Sequence, residues 1–308
     1  MNLSFYIAKR YIISKKSHNA INVISFISAL GIMVATAAMV CILSVFNGFT
    51  DFAYQSFSKI DPDLTITPVK GKVFDPLTPD FDKVRSISGI EVISEVLEDN
   101  ALLKFEERQT PAVVRGVSSN YINLSNIQSI LVDGKFTLKE GVVEFSVIGA
   151  GLAMNLGVRA NFISPLEIYA PKRNVKVNLA NPNTAFDRAY TYPSGVFLLN
   201  QEKYDEQLIF VSLELARQLF RYENEVSSLD IKLHNPDNTS SIKKEIKSIL
   251  GDSFYVKDRF EQQEESFKMV NIEKWVTFLI MSFVLLIAVF NIIGSLSMLI
   301  IDKKEDIQ

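Results

Sequence analysis

The chain is poor in the side chains that do most metal and nucleophile chemistry: it holds one cysteine, Cys41, and two histidines, His18 and His234, in 308 residues. A single thiol excludes an intrachain disulfide, so any globular part must rest on its hydrophobic core. Cys41 lies inside a long apolar run that separates His18 from His234. Read as a membrane span, that run puts the two imidazoles in different compartments, and neither a metal ligand set nor a nucleophile–base pair can be assembled. A phosphate-cradling glycine loop is missing too, because Gly71-Lys72 and Gly134-Lys135 lack the upstream glycine and read as turn residues. Nor is charge of one sign concentrated. The formal net charge is −3 and the middle of the chain holds more acids than bases, which excludes nucleic acid as an expected partner. Glu106-Glu107 and Glu264-Glu265 read as solvated surface, and the Asn-x-Ser triplets at Asn123 and Asn238 as chance matches.

Charge is wholly absent from two stretches, 21–46 and 275–301, which contain no Asp, Glu, Lys or Arg. Each exceeds the roughly 20 apolar residues that carry a helix across about 30 Å of hydrocarbon, so both are predicted to span a membrane. A core helix fits worse, since such helices seldom stay uncharged over this length. A signal peptide fits worse as well, because the first run is too long and follows a leader, 1–20. That leader carries Lys9, Arg10, Lys15 and Lys16 without an acid, whereas Asp51, Asp61 and Asp63 follow the first span. The asymmetry predicts a cytoplasmic N-terminus and an external domain between the spans. Within the leader, 2–14 suits either an interfacial helix or a disordered basic segment. Small residues at Ser28, Gly31, Ala35 and Ala38, and Asn291, Gly294 and Ser295 in the second span, predict close helix contacts.

Beyond the first span, Phe46, Phe49, Ala53, Phe57 and Ile60 keep helical spacing, predicting a stalk over 47–61 that stops at Asp61-Pro62. Phe260, Gln263, Phe267 and Val270 repeat the stripe over 258–274. The two either pair as stalks, with Phe46, Phe49, Phe57, Phe260 and Phe267 meeting each other or lipid, or lie on the bilayer as amphipathic helices. The external domain, 62–257, reads as strand–helix–strand at both ends: strands at 63–69 and 90–105 around a helix at 78–88, and strands at 227–233 and 253–257 around a helix at 239–250. Between them, after a strand at 112–117, a β-rich insertion is expected at about 118–225, with strands at 142–148, 166–169, 196–199 and 207–211 and helices near 151–156 and 213–221. The fold class is therefore an α+β membrane protein with two spans enclosing an external α/β domain. The stretch 171–195 has no clear period and carries Arg173, Arg188, Tyr190 and Tyr192, so it reads as an exposed loop, either a partner surface or disorder.

The sequence LSVFNGF at 43–49, with FNIIGSL at 290–296 running into DKKEDI at 302–307, resembles lipoprotein-releasing ABC transporter permeases of the LolC/LolE type, within the macrolide-exporter and FtsX-like permease superfamily. The resemblance covers the leader, both spans and the order of the external units. It implies four spans, a large periplasmic domain between the first two, and an inner-membrane location. It also implies a second permease copy or paralogue, contact with membrane lipids, and a separate cytoplasmic ATPase that holds ATP and magnesium, with no cofactor in this chain. Asp302, Lys303, Lys304, Glu305, Asp306 and Ile307 then look like the start of the helix that docks on that ATPase. The loop 171–195 corresponds by position to the one that receives a periplasmic lipoprotein carrier. Because the sequence stops at Gln308, the third and fourth spans are expected beyond it or on another chain, and this chain is not expected to transport alone. The resemblance implies lipoprotein release; export of small amphiphiles, regulation of cell-wall hydrolases and a two-span receptor are the alternatives.

Overall fold

The computed structural model describes Tyr6 and residues 19–57, 60–160, 163–173 and 185–304. Backbone contacts divide the chain into two units, Met1–Ala53 with Glu264–Gln308, and Tyr54–Gln263.

The first unit is built on two long helices, α1 (Asn19–Phe57) and α9 (Glu264–Lys304). Neither contains proline, so the backbone ladder is unbroken, which is what a chain in hydrocarbon requires. Phe26–Gly48 and Ile272–Gly294 have mean hydropathies of 2.4 and 2.7, and nothing in either is buried. They are therefore not core helices, and apolar surface of this extent is stable only against lipid or protein. At the end of the first run, Lys274 Nζ donates to Asn47 Oδ1 at 2.8 Å, tying α9 to α1.

The frame of the second unit is a pair of interleaved strand–helix–strand segments. The first is β1 (Leu64–Pro68), α2 (Pro79–Arg85) and β2 (Ile90–Phe105); the last is β10 (Ser228–Leu233), α7 (Thr239–Leu250) and β11 (Phe254–Asp258). They pair antiparallel in the order β11-β1-β10-β2, the split β-α-β arrangement. Alternation puts Leu64, Ile66, Leu229, Ile231 and Val256 on one face, where they pack with Phe81 and Val84 of α2 and Ile242, Ile246 and Leu250 of α7. The rings of Phe74, Phe81 and Phe254 stand 5.1 Å apart, centroid to centroid, in all three pairs.

Between β2 and β10 the chain adds β3 (Arg108–Val117), α3 (Tyr121–Leu124), β4 (Leu131–Gly134), β5 (Lys139–Glu140), β6 (Val143–Gly149), α4 (Ala150–Leu156), β7 (Leu166–Pro171), β8 (Phe186–Phe197), α5 (Glu202–Asp205), β9 (Leu208–Ser212) and α6 (Leu213–Phe220). Their pairings close on themselves: β2 pairs with β3, β3 with β9, β9 with β6, β6 with β8, β8 with β7, and β7 with β2. The inserted part thus shares the long strand β2 with the frame. The ring surrounds a core of Leu103, Val114, Ile148, Ile168 and Ile209, with Leu152 of α4 and Ala216 of α6. Gly116 is required there, since a Cβ on it would lie 2.2 Å from the Ala216 Cβ.

Two sequence readings change. The loop expected over 171–195 is in large part strand: β8 begins at Phe186, with Ala189, Thr191 and Pro193 buried and Arg188 and Tyr190 exposed. Pro193 hides this alternation, because proline normally marks the end of a strand; here it sits where the β6–β8 register shifts between Ser146 and Val147. Residues 174–184 of that stretch lie outside the described residues. The helix expected over 258–274 is divided. A short α8 (Arg259–Gln262) opens with a capping box between Asp258 and Glu261, the chain leaves helical geometry at Gln263, and α9 begins at Glu264. The leader at 1–20, apart from Tyr6 and the first residues of α1, is outside the described residues.

Candidate functional site

The strands that bury Leu64, Leu229 and Val256 on one face carry Thr65 and Thr67 (β1), Ser228 and Asp230 (β10), Glu98 and Asn100 (β2), Arg115 (β3) and Lys257 (β11) on the other. These side chains line a cleft of about 430 Å³, together with Asp61, Tyr204, Gln262 and Gln263. Arg115 Nε donates to Glu98 Oε2 at 2.7 Å. Asp230, only 2% exposed, accepts from Thr65 Oγ1 at 2.9 Å and Ser228 Oγ at 3.2 Å. Asp61 accepts from Gln263 Nε2 at 2.9 Å and from the Tyr204 hydroxyl at 3.4 Å, and Gln263 also donates to Tyr204 Oη at 2.9 Å.

Burial sets the electrostatics of the cleft. It raises the carboxyls of Asp61 and Asp230 above their ordinary range, against the lowering effect of Arg115 and of their hydrogen-bond donors. Burial, with Asp61 nearby, pushes the Tyr204 phenol up to about 12. Burial opposes the charge on Arg115, but Glu98 and its neighbours keep it a cation. Arg115 and Glu98 thus join β3 to β2, Thr65 and Asp230 join β1 to β10, and Asp61 joins the start of the head to Gln263 and Tyr204, so the cleft is a set of directional cross-links.

Asp61 and Asp63, read from sequence as an acidic flank of the span, are buried: Asp63 accepts from the Leu233 backbone N–H at 2.8 Å and pairs with Arg259 at 2.9 Å. Of the residues singled out from sequence, Phe46 is half-buried in α1 and Phe260 is exposed on α8. Phe49, Phe57 and Phe267 lie on α1 and α9, as do Asp302, Lys303 and Lys304, with side chains outside the described residues. Glu305, Asp306 and Ile307 are outside them altogether. At the β7–β8 hairpin the Arg173 guanidinium lies 3.1 Å from the centroid of the Tyr222 ring, and Arg188 lies 4.9 Å from that of Tyr169. Tyr190 is exposed on β8, and Tyr192 faces Phe145 at 6.4 Å between ring centroids. Arg188, Tyr190 and Tyr192 thus alternate along one strand, β8, whereas Arg173 lies beyond the end of β7 against Tyr222. Sequence reasoning missed Arg115, Asp230 and Tyr204. The available signal was a lone charge in the polar phase of an otherwise apolar strand, as in Val114-Arg115-Gly116 and Leu229-Asp230-Ile231. Among the described residues no group of His, Cys, Asp and Glu is placed to hold a metal ion.

Fold and cleft define a chain in which two long apolar helices flank an α/β head with a polar cleft between strands. The chain belongs to the MacB-like periplasmic core domain family, which matches residues 25–249. It is 26% identical, over 99% of its own length and 72% of the relative's, to the lipoprotein-releasing system transmembrane protein LolC of Neisseria meningitidis. The lipoprotein-releasing system transmembrane protein LolE of Haemophilus influenzae is 22% identical over 100% of this chain and 73% of its own length. Among solved structures, the extracellular domain of the noncanonic ABC-type transporter YknZ from Gram-positive bacteria aligns with 64% of this chain and 99% of its own at a TM-score of 0.44 and 15% identity.

Proposed function

We propose that the chain is a permease subunit of an ABC transporter that releases lipoproteins from the bacterial inner membrane. The observation that carries this reading is the match to lipoprotein-releasing LolC proteins across nearly the whole chain, spans included, rather than across the head alone. In this reading the N-terminus is cytoplasmic and the head periplasmic, in keeping with the basic leader. A separate ATPase binds ATP and magnesium and docks on the segment beginning at Asp302, and a second permease copy or paralogue completes the dimer. Closure of the ATPase then moves the spans, and the head rearranges in response. Phe46, Phe49, Phe57, Phe260 and Phe267 are the aromatic residues that this reading assigns to contact with lipid acyl chains or with each other. The β7–β8 hairpin, with Arg173, Arg188, Tyr190 and Tyr192, is the surface that meets a periplasmic lipoprotein carrier.

The test is copurification of the full-length permease with an ATPase subunit, reconstitution in vesicles, and mass spectrometry of what is released on ATP addition. Acylated protein in the soluble fraction supports the reading. An ATPase that copurifies while only small amphiphiles leave the vesicle replaces the cargo, and no ATPase at all removes the transporter assignment.

A further inference from the structure

The chain enters the head just past α1 and leaves it at Gln263, and side chains lace these two passages together. Gln263 donates to Asp61, Gln262 Nε2 donates to the Pro62 carbonyl at 3.2 Å, Arg259 pairs with Asp63, and β1 and β11 continue the pairing from Leu64 opposite Asp258. Gln263 is only 6% exposed although it interrupts the helix leading to the second span, so a long polar side chain is spent inside the head rather than on solvent. From the inserted part, Tyr204 reaches into this lacing and bonds to both Asp61 and Gln263.

Tyr204 stands on α5, and α5 is fixed to the ring. The Asp205 carboxylate accepts from the backbone N–H groups of Leu199 and Gln201 at 2.8 and 2.9 Å. A Cβ at Gly149 would lie 2.4 Å from the Asp205 carbonyl oxygen, and one at Gly151 2.7 Å from Glu206 Cγ, so α5 lies directly on the turn from β6 into α4. β6 in turn pairs with β8, Phe145 opposite Tyr192 and Gly149 opposite Phe197. A displacement of the laced passages therefore has a contiguous path of short contacts to the strand that carries Arg188, Tyr190 and Tyr192. Packed elements pass on such displacements because they have no free volume to absorb them.

We infer that Tyr204 is a positioning residue for the transport cycle, the hydroxyl through which movement at the span ends reaches β8 by way of α5 and β6. The inference rests on the permease reading and adds the place where span motion enters the head. Tyr204→Phe keeps the ring and removes both hydrogen bonds. Asp61→Leu removes the shared acceptor. Asp61→Asn keeps it, because the amide oxygen accepts from Gln263 while the amide N–H donates to the Tyr204 oxygen.

The test uses the full permease complex with its ATPase in vesicles of phosphatidylethanolamine and phosphatidylglycerol. Three quantities are read: ATP hydrolysis, lipoprotein released per ATP, and the ATP-dependent change in amide exchange over Phe186–Phe197. Tyr204→Phe and Asp61→Leu are expected to lower release per ATP by about fivefold or more and to abolish the exchange response, with hydrolysis within about twofold of the parent. Asp61→Asn, and Tyr255→Phe at an exposed tyrosine, are expected to behave as the parent. Hydrolysis and release falling in proportion would mean a packing role alone and would overturn the inference, as would unchanged release per ATP or an exchange response that survives Tyr204→Phe. A parent that shows the exchange response without releasing lipoprotein, the response being lost in Tyr204→Phe, supports the inference and sinks only the cargo assignment.

Discussion

The two faces of the sheet β11-β1-β10-β2-β3 are made from alternate residues of the same strands, yet they are held together by different physics. On one, Leu64, Ile66, Leu229 and Ile231 are essentially inaccessible and pack on α2 and α7, where contact is non-directional and depends on volume. On the other, Asp230, Arg115, Glu98 and Asp61 are held by bonds with fixed donors and acceptors, those of Asp230 to Thr65 and of Asp61 to Gln263 joining segments far apart in sequence. The first face fixes that the head folds. The second fixes which segments are cross-linked, through directional bonds that are either made or broken, whereas a packed face deforms very little.

The largest effect is expected from breaking the packed face. Phe81 is 1% exposed, stacks on Phe74 and meets Phe254 edge-on, so Phe81→Ala should cost about 3–5 kcal/mol. A fall in the urea midpoint at constant m-value is the measurement, and a loss under about 1 kcal/mol would show that this core collapses around the cavity. Next comes removal of one partner on the polar face. Arg115→Leu leaves Glu98 and Asp230 without their cation and should cost about 2–3 kcal/mol. The double variant Arg115→Leu with Glu98→Leu should recover part of that loss. Absence of any recovery would mean that Asp230, not Glu98, is the partner that matters.

A smaller effect distinguishes charge from hydrogen bonding within the polar face. Burial raises the folded-state pKa of Asp230 above the ordinary 3.8, so the folded protein holds this proton more tightly than the unfolded chain does. Stability from this group is therefore greatest below the unfolded pKa and is lost as pH rises through the folded value. Asp230→Asn retains an acceptor for Thr65 and Ser228 but has no proton to lose. The stability of the variant relative to the parent should rise as pH increases from about 4 toward neutral. A relative stability that falls over that interval would mean that attraction to Arg115 outweighs the burial of the carboxylate.

How much of this was legible in the sequence follows the same division. Packed elements announce themselves: α7 runs from Thr239 to Leu250 with Ile242, Ile246 and Leu250 buried and Gly251 at φ 63 closing it, all readable from spacing and a terminal glycine. The two long apolar helices were legible from their uncharged runs, and the strand–helix–strand order at both ends of the head from its periodicity. The ring closure was not, because β7 reaches β2 and β8 through pairings that leave no mark on local pattern. The polar face was the least legible part. Gln263 has the spacing of a stalk residue and Asp61 the look of a solvated acid, and only their bond to each other, across 202 positions of sequence, gives them another role.

The smallest stability effect belongs to a residue outside both faces. Tyr190 is 53% exposed on β8, between the buried Ala189 and Thr191, so its ring adds little to the core while its backbone keeps the pairing of Glu167. Tyr190→Ala should change the urea midpoint by no more than the equivalent of about 0.5 kcal/mol. If the β7–β8 hairpin meets a lipoprotein carrier, the same variant should still weaken carrier binding about tenfold, since an exposed aromatic at a binding surface is worth more in the complex than in the free protein. Binding measured on the full permease in detergent separates these quantities. A variant that loses stability but keeps its carrier would place Tyr190 with the packed ring after all, and one that loses neither would move the carrier surface off this strand.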